Sequence, residues 1–230
     1  CRGLFDQMKV DTMGSLIGIR KARPGGAKHQ RGGSKAKPPC VMIAAHMDQI
    51  GFMVSHVNDA GFLRVQAVGG FDTRNLFARL VTVCTAEGDL PGIMNPGIKP
   101  LHIATQEEKN KVPLINELIV DLGLDGDTVK QQVKIGDMVV LQAPLARVGD
   151  TVVAQALDNR VACWIAIRAM EKVKKIGRHQ CEIACVFTVQ EEVGLRGAGT
   201  AAFGINPDIG IAVDTTLCVD TPGIPPEQHC

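Results

Sequence analysis

Three short, uninterrupted apolar runs constrain this chain more than anything else in it: Cys40 to Ala45 (CVMIAA), Ile183 to Phe187 (IACVF) and Ile209 to Val213 (IGIAV). A strand with one wet face alternates apolar and polar residues, whereas a run without alternation marks a strand covered on both faces. Each run leads into ionisable residues. His46-Met47-Asp48 follow the first, Glu191-Glu192 the second and Asp214 the third. Open α/β sheets bind their ligands at the C-terminal edge of such strands.

Between these runs the texture changes. From Ile50 to about Val153 the chain breaks into short alternating stretches separated by turns, such as IGFMVSHV, FLRVQAVGG and LVTVCTAEG. That spacing predicts a small β-rich, barrel-like domain. Within it Gln106 to Leu122 reads as helix-like, interrupted by Pro113, and Asp137 to Leu141 as a strand; His56 and His102 read as surface or core histidines. The order is therefore α/β over residues 1–51, a β-rich insert over 52–152, and α/β again over 153–230. After the insert, Ala156 to Arg160 opens a helix whose apolar face is expected to comprise Val161, Trp164, Ile165, Ile167, Ala169, Met170 and Val173. Lys172, Lys174 and Lys175 gather before a terminating Gly177. Asp158 at its positive end is either an N-cap or a functional acid. Asp11 to Ile19 reads as a turn feeding a short strand.

Composition limits the partners. The 230 residues are 45% hydrophobic, enough for a real core, and 25 basic against 24 acidic residues leave a net charge of +1. No bulk field argues for nucleic acid or a membrane surface. The segment Lys21 to Pro39 does carry six Lys or Arg without an acid, but it lacks aromatics to stack on bases and reads as a solvated hairpin insertion. Eight cysteines fall mostly inside apolar runs without a CxxC, the pattern of buried, reduced thiols. With no signal peptide or spanning run, the chain reads as cytoplasmic, and its ends read as those of a fragment.

His46 and Asp48 alternate to the same side of an extended chain, so the carboxylate can orient the imidazole of a metal ligand. Bringing Asp158, Glu191, Glu192 and Asp214 to the same edge would set carboxylates against one another unless cations neutralise them. One histidine with several acids and no cysteine suits zinc, cobalt or manganese in a catalytic rather than a structural site. A carboxylate shared between two ions, activating a water, makes hydrolysis the natural reaction. Adjacent residues on extended chain face different ways, so one of Glu191 and Glu192 binds metal and the other serves as general base; the spacing leaves open which.

Taken together, AAHMDQIGFMV at 44–54, Gly69-Gly70, QALDNRVA at 155–162, VQEEVGLRGA at 189–198, the aspartate of IAVDTT and DTPG at 220–223 resemble the dinuclear metalloaminopeptidases of metallopeptidase family 42, the glutamyl-aminopeptidase or TET-type enzymes. The resemblance implies an exopeptidase-type, mixed-sheet catalytic domain with an inserted barrel-like dimerisation domain. It also implies two divalent ions, zinc or cobalt, with Asp158 bridging them, His46 and Asp214 on one ion and Glu192 on the other. Glu191 would be the general base and Asp48 the residue orienting His46. Substrates would be peptides with a free N-terminus, and assembly a homo-oligomer of dimers built up to a dodecamer. Gln49 stands where the family usually has Glu, and a fifth ligand, a histidine well beyond the DTPG turn, has no counterpart. Low activity of this chain alone is the expectation. A related amidohydrolase or deacylase, or an inactive binding scaffold, would be the alternative uses of the same frame.

Overall fold

The computed structural model describes residues 3–23, 37–100, 102–219, 221–225 and 227. Most of the expected basic hairpin, residues 24–36, lies outside the described residues. The chain divides into two compact units, Cys1–Asp48 with Ala156–Cys230, and Gln49–Gln155.

The first unit begins with strands β1 (Gln7–Val10), β2 (Leu16–Arg20) and β3 (Cys40–His46). The second contributes β4 (Gly51–Val57), β5 (Leu63–Val68), β6 (Arg79–Thr85), β7 (Gly88–Pro96), helix α1 (Gln106–Asn110), β8 (Leu118–Asp121), helix α2 (Gly126–Gln132) and β9 (Met138–Leu141). Six of its strands close into a barrel in the order β4-β5-β8-β7-β6-β9. Closure leaves no edge strand, and period-2 alternation turns Phe52, Val54, Val81, Val83, Leu118 and Val120 into a fully buried core. The short hairpin of β10 (Ala146–Val148) and β11 (Thr151–Val153) follows.

The expected helix-like stretch from Gln106 to Leu122 is corrected here. Only α1 is α-helical, started by Thr105, whose side chain accepts from the Glu108 backbone N–H, and a single 3-10 turn follows at Ile115–Glu117. Leu118–Asp121 is instead a barrel strand paired with β7 and β5. Leu118 and Val120 alternate inward, and the ladder they complete outweighs the local pattern.

The chain then re-enters the first unit as helix α3 (Leu157–Ile176), β12 (Glu182–Thr188), helix α4 (Arg196–Ile205) and β13 (Ile209–Ala212). The sheet runs β1-β2-β12-β3-β13. Its centre is parallel, with β3 between β12 and β13, while β2 and β1 join antiparallel. The apolar runs therefore become β3, β12 and β13, and parallel pairing brings their C-terminal ends to one edge; β13, last in the sheet order, is exposed along its whole length, contrary to the cover expected on both faces.

Helices cover both faces of β12, which is why its sequence does not alternate. Ile183, Cys185 and Phe187 pack with Ala166 and Met170 of α3, while Val186 packs with Ala201 of α4. On α3 the buried residues are Asn159, Ala162, Ala166 and Met170, spaced three and four apart. Trp164 and Ile165, expected on the inner face, are 59% and 45% exposed. Small side chains let the helix lie close to the sheet, and that register rotates the larger pair outward.

Gly197 opens α4 against the end of β12. Its N–H donates to the Val189 carbonyl at 3.0 Å, and a Cβ there would sit 2.3 Å from that oxygen and 2.8 Å from Ser15 Oγ. Neither backbone nor a buried serine can yield that distance cheaply. Gly197→Ala is expected to lower stability by about 1–3 kcal/mol, the usual cost of overpacking, measured as a reduced urea midpoint at unchanged slope.

Candidate metal centre

At the C-terminal edge of the first unit's sheet, His46 closes β3. It is 3% exposed, and its Nε2 faces Asp158 Oδ1 at 3.0 Å, Glu191 Oε2 at 3.7 Å and Asp214 Oδ1 at 3.8 Å. On the other side of the ring, Nδ1 faces Asp48 Oδ1 at 3.5 Å. Neither of these two buried atoms has a hydrogen-bond partner among the described residues. Asp48 lies just beyond the end of β3, and its carboxylate lies where it can fix the imidazole.

The acids arrive from different elements. Asp158 does not cap α3: the turn at Ala156 is left-handed, Asp158 and Asn159 have non-helical dihedral angles, and the helix start has no side-chain cap. The Asp158–Asn159 peptide bond is cis. Released from capping, Asp158 turns its carboxylate to His46. Asp214 follows β13, whose last bonds include Val213 N–H to the Ala44 carbonyl at 2.9 Å. Glu191 and Glu192 come just after β12.

The two glutamates do not sit on extended chain. β12 ends at Thr188, Gln190 takes a left-handed φ of 57°, and the Gly194 and Leu195 N–H groups both donate to the Glu191 carbonyl. This turn brings carboxylate oxygens of both glutamates to within 4.8 Å of a His46 nitrogen and of each other. The Glu192 N–H donates to Asp48 Oδ2 at 3.3 Å, so Asp48 links the end of β3 to the glutamate turn. Burial, then the charge of Asp158, holds the Glu192 carboxyl above its usual range, against a smaller opposing pull from His46.

Two groups of donors result, His46 with Asp158 and Asp214, and His46 with Glu191 and Glu192. At such separations two carboxylates repel by about 3 kcal/mol at an effective dielectric constant of about 20, less where solvent screens them. An imidazole nitrogen among carboxylate oxygens, with no thiolate, is a donor set suited to zinc or another divalent first-row cation. The residues present therefore fit a divalent metal. Every candidate ligand and both candidate catalytic residues lie in this cluster; Asp220 of the DTPG turn is outside the described residues.

Some contributors were not singled out from the sequence. Asn159 is fully buried and its Nδ2 donates to the Val213 carbonyl at 2.9 Å. Cys163, one turn further, donates from Sγ to the His46 carbonyl at 3.2 Å. Asn159 stands in the QALDNRVA motif next to Asp158, and the sequence signal for Cys163 is its position one helical turn further on. Away from the site, among the described residues, no helix is long and apolar enough to cross a membrane.

The profile of the M42 glutamyl aminopeptidase family matches residues 25–229. A lysyl aminopeptidase of Pyrococcus furiosus is 33% identical over 221 residues, which cover 94% of this chain and 58% of the relative. An aminopeptidase of known structure from the archaeon Desulfurococcus kamchatkensis superposes with a TM-score of 0.84 at 35% identity, over 99% of this chain and 58% of the other. The TET1 peptidase of Pyrococcus horikoshii, which can assemble into a tetrahedron or a large octahedral shell, matches with a TM-score of 0.74 at 29% identity, over 92% of this chain and 59% of the other. The chain spans 52–61% of the length of its curated relatives. With the profile running through both parts of the sheet and the barrel between them, the chain belongs to the M42 glutamyl aminopeptidase family.

Proposed function

We propose that this chain carries the metal site of an aminopeptidase that removes N-terminal residues from peptides. The observation that carries the reading is the buried His46 imidazole, met by acids from the ends of β12 and β13 and the start of α3. Family membership supports the peptide substrate and its free N-terminus. The reading takes two divalent ions, zinc or cobalt, and the four acids gathered at the His46 imidazole support a divalent metal there. When bound, such ions polarise a carbonyl and lower the pKa of water.

In this reading His46 and Asp214 would hold one ion and Glu192 the other, with Asp158 available to both. Glu191 takes the proton from the attacking water and returns it to the leaving amine, the work of a general base and then acid. Asp48 keeps the His46 ring oriented from its Nδ1 side and steadies the glutamate turn through the Glu192 N–H. The barrel over residues 52–152 is proposed as the self-association module. Exposed apolar side chains on it such as Ile103, Ile135 and Leu145, and the shells formed by the TET1 peptidase, support a homo-oligomer.

Glu191→Gln separates proton transfer from metal binding. Metal content should stay near wild type while turnover of aminoacyl chromogenic substrates falls by about 10² or more; loss of metal instead would exchange the roles of the two glutamates. A parallel panel of N-acyl amino acids tests the substrate class, since hydrolysis of these alone would favour a deacylase.

Metal should also stabilise the fold, because the acids repel one another without it. Zinc at a hundredfold over its Kd is expected to add about 2.7 kcal/mol, read as a rise in Tm that a chelator reverses. An unchanged Tm would speak against the site.

A further inference from the structure

Asp214 lies beyond the last residue of β13, where the ladder no longer restrains it, and Asp158 lies in an irregular turn before α3 becomes regular. Both are acids near one imidazole, so repulsion favours their moving apart. Something other than the acids must hold these two segments together.

The Val213 peptide groups are gripped from two sides. Its N–H donates to the Ala44 carbonyl at 2.9 Å on β3, and its carbonyl accepts from Asn159 Nδ2 at 2.9 Å. Asn159 directly follows Asp158, and Val213 directly precedes Asp214. A single hydrogen bond therefore joins the two acid-bearing segments without occupying either carboxylate. Facing a carbonyl, only the amide nitrogen can make this bond, which settles the orientation of the side chain. Asn159 Oδ1 then points into the interior with no hydrogen-bond partner among the described residues. A buried amide left half-satisfied is a poor source of stability, so an apolar side chain would serve a purely structural purpose better.

We propose that Asn159 is a positioning residue for the metal site, setting the spacing of Asp158 and Asp214 through the Val213 carbonyl. The proposal rests on the metal-site reading above and deepens it. The two acids meet a cation already spaced, and the affinity they deliver depends on an amide that touches neither the cation nor the substrate.

A double-mutant cycle on zinc affinity tests this, with calorimetric titration of zinc chloride into wild type, Asn159→Leu, Asp214→Ala and the double variant, and melting of each in chelator. Leucine keeps the volume of the amide and removes its donor. Zinc affinity should fall about tenfold or more in Asn159→Leu, as for other partners that orient ligands without binding metal. The metal-free Tm should stay close to wild type, and Asn159→Leu should cause no further loss in the Asp214→Ala background. Wild-type affinity in Asn159→Leu, or losses that multiply in the double variant, would overturn the proposal while leaving the metal site standing. Should the leucine variant not fold, Asn159→Ala is measured in the same way; failure of both to fold would overturn the proposal in favour of a structural role. A wild-type protein that binds no zinc would overturn the metal-site reading as well.

Discussion

Placing carboxylates around one buried imidazole is the constraint on which the rest of the first unit depends. Acids at this range repel, and a loose scaffold would let them separate. The parallel pairing of β3 with β12 and β13 opposes that. It brings three strand ends to one edge, so that His46, the Glu191-Glu192 turn and Asp214 leave the sheet side by side. Backbone bonds beyond the ladder tighten the edge, with Met47 N–H on the Thr188 carbonyl at 2.8 Å and Val213 N–H on the Ala44 carbonyl at 2.9 Å. The helix α3 completes the frame from its inner face, where small residues allow close approach and Asn159 and Cys163 reach the outgoing carbonyls of β13 and β3.

The turn after β12 shows how local sequence serves the same end. Glu191 and Glu192 would diverge on extended chain. A left-handed residue at Gln190, bonds back to the Glu191 carbonyl, and the absence of a side chain at Gly197 fold the segment tightly enough for both to reach His46. Gly197 matters because α4 must start within contact of the Val189 backbone. The barrel of the second unit obeys a separate logic, closing on its own apolar core and needing nothing from the acids to fold.

Much of this was legible from residues alone. Runs such as CVMIAA and IACVF lack alternation because helices cover both faces of their strands, and the ionisable residues after them had nowhere to be but the edge. The family was legible for the same reason, since its motifs are the strand ends and the turns that follow them. Other features depend on partners distant in sequence. Asn159 acquires meaning only from the Val213 carbonyl, and Leu118–Asp121 becomes a strand only because barrel closure leaves a place for it. Trp164 and Ile165 fit a helical apolar face by period, yet the close packing of Ala162 and Ala166 turns them outward. Asp158 had the position of an N-cap; the left-handed turn at Ala156 removed it from that role.

If the edge of the sheet is a two-ion site, crystals soaked in zinc and measured at the zinc absorption edge should show two anomalous peaks about 3.5–4 Å apart. Asp158 should lie between them, with His46 and Asp214 against one and Glu192 against the other. A single peak, peaks away from His46, or no anomalous signal at this edge would contradict that arrangement.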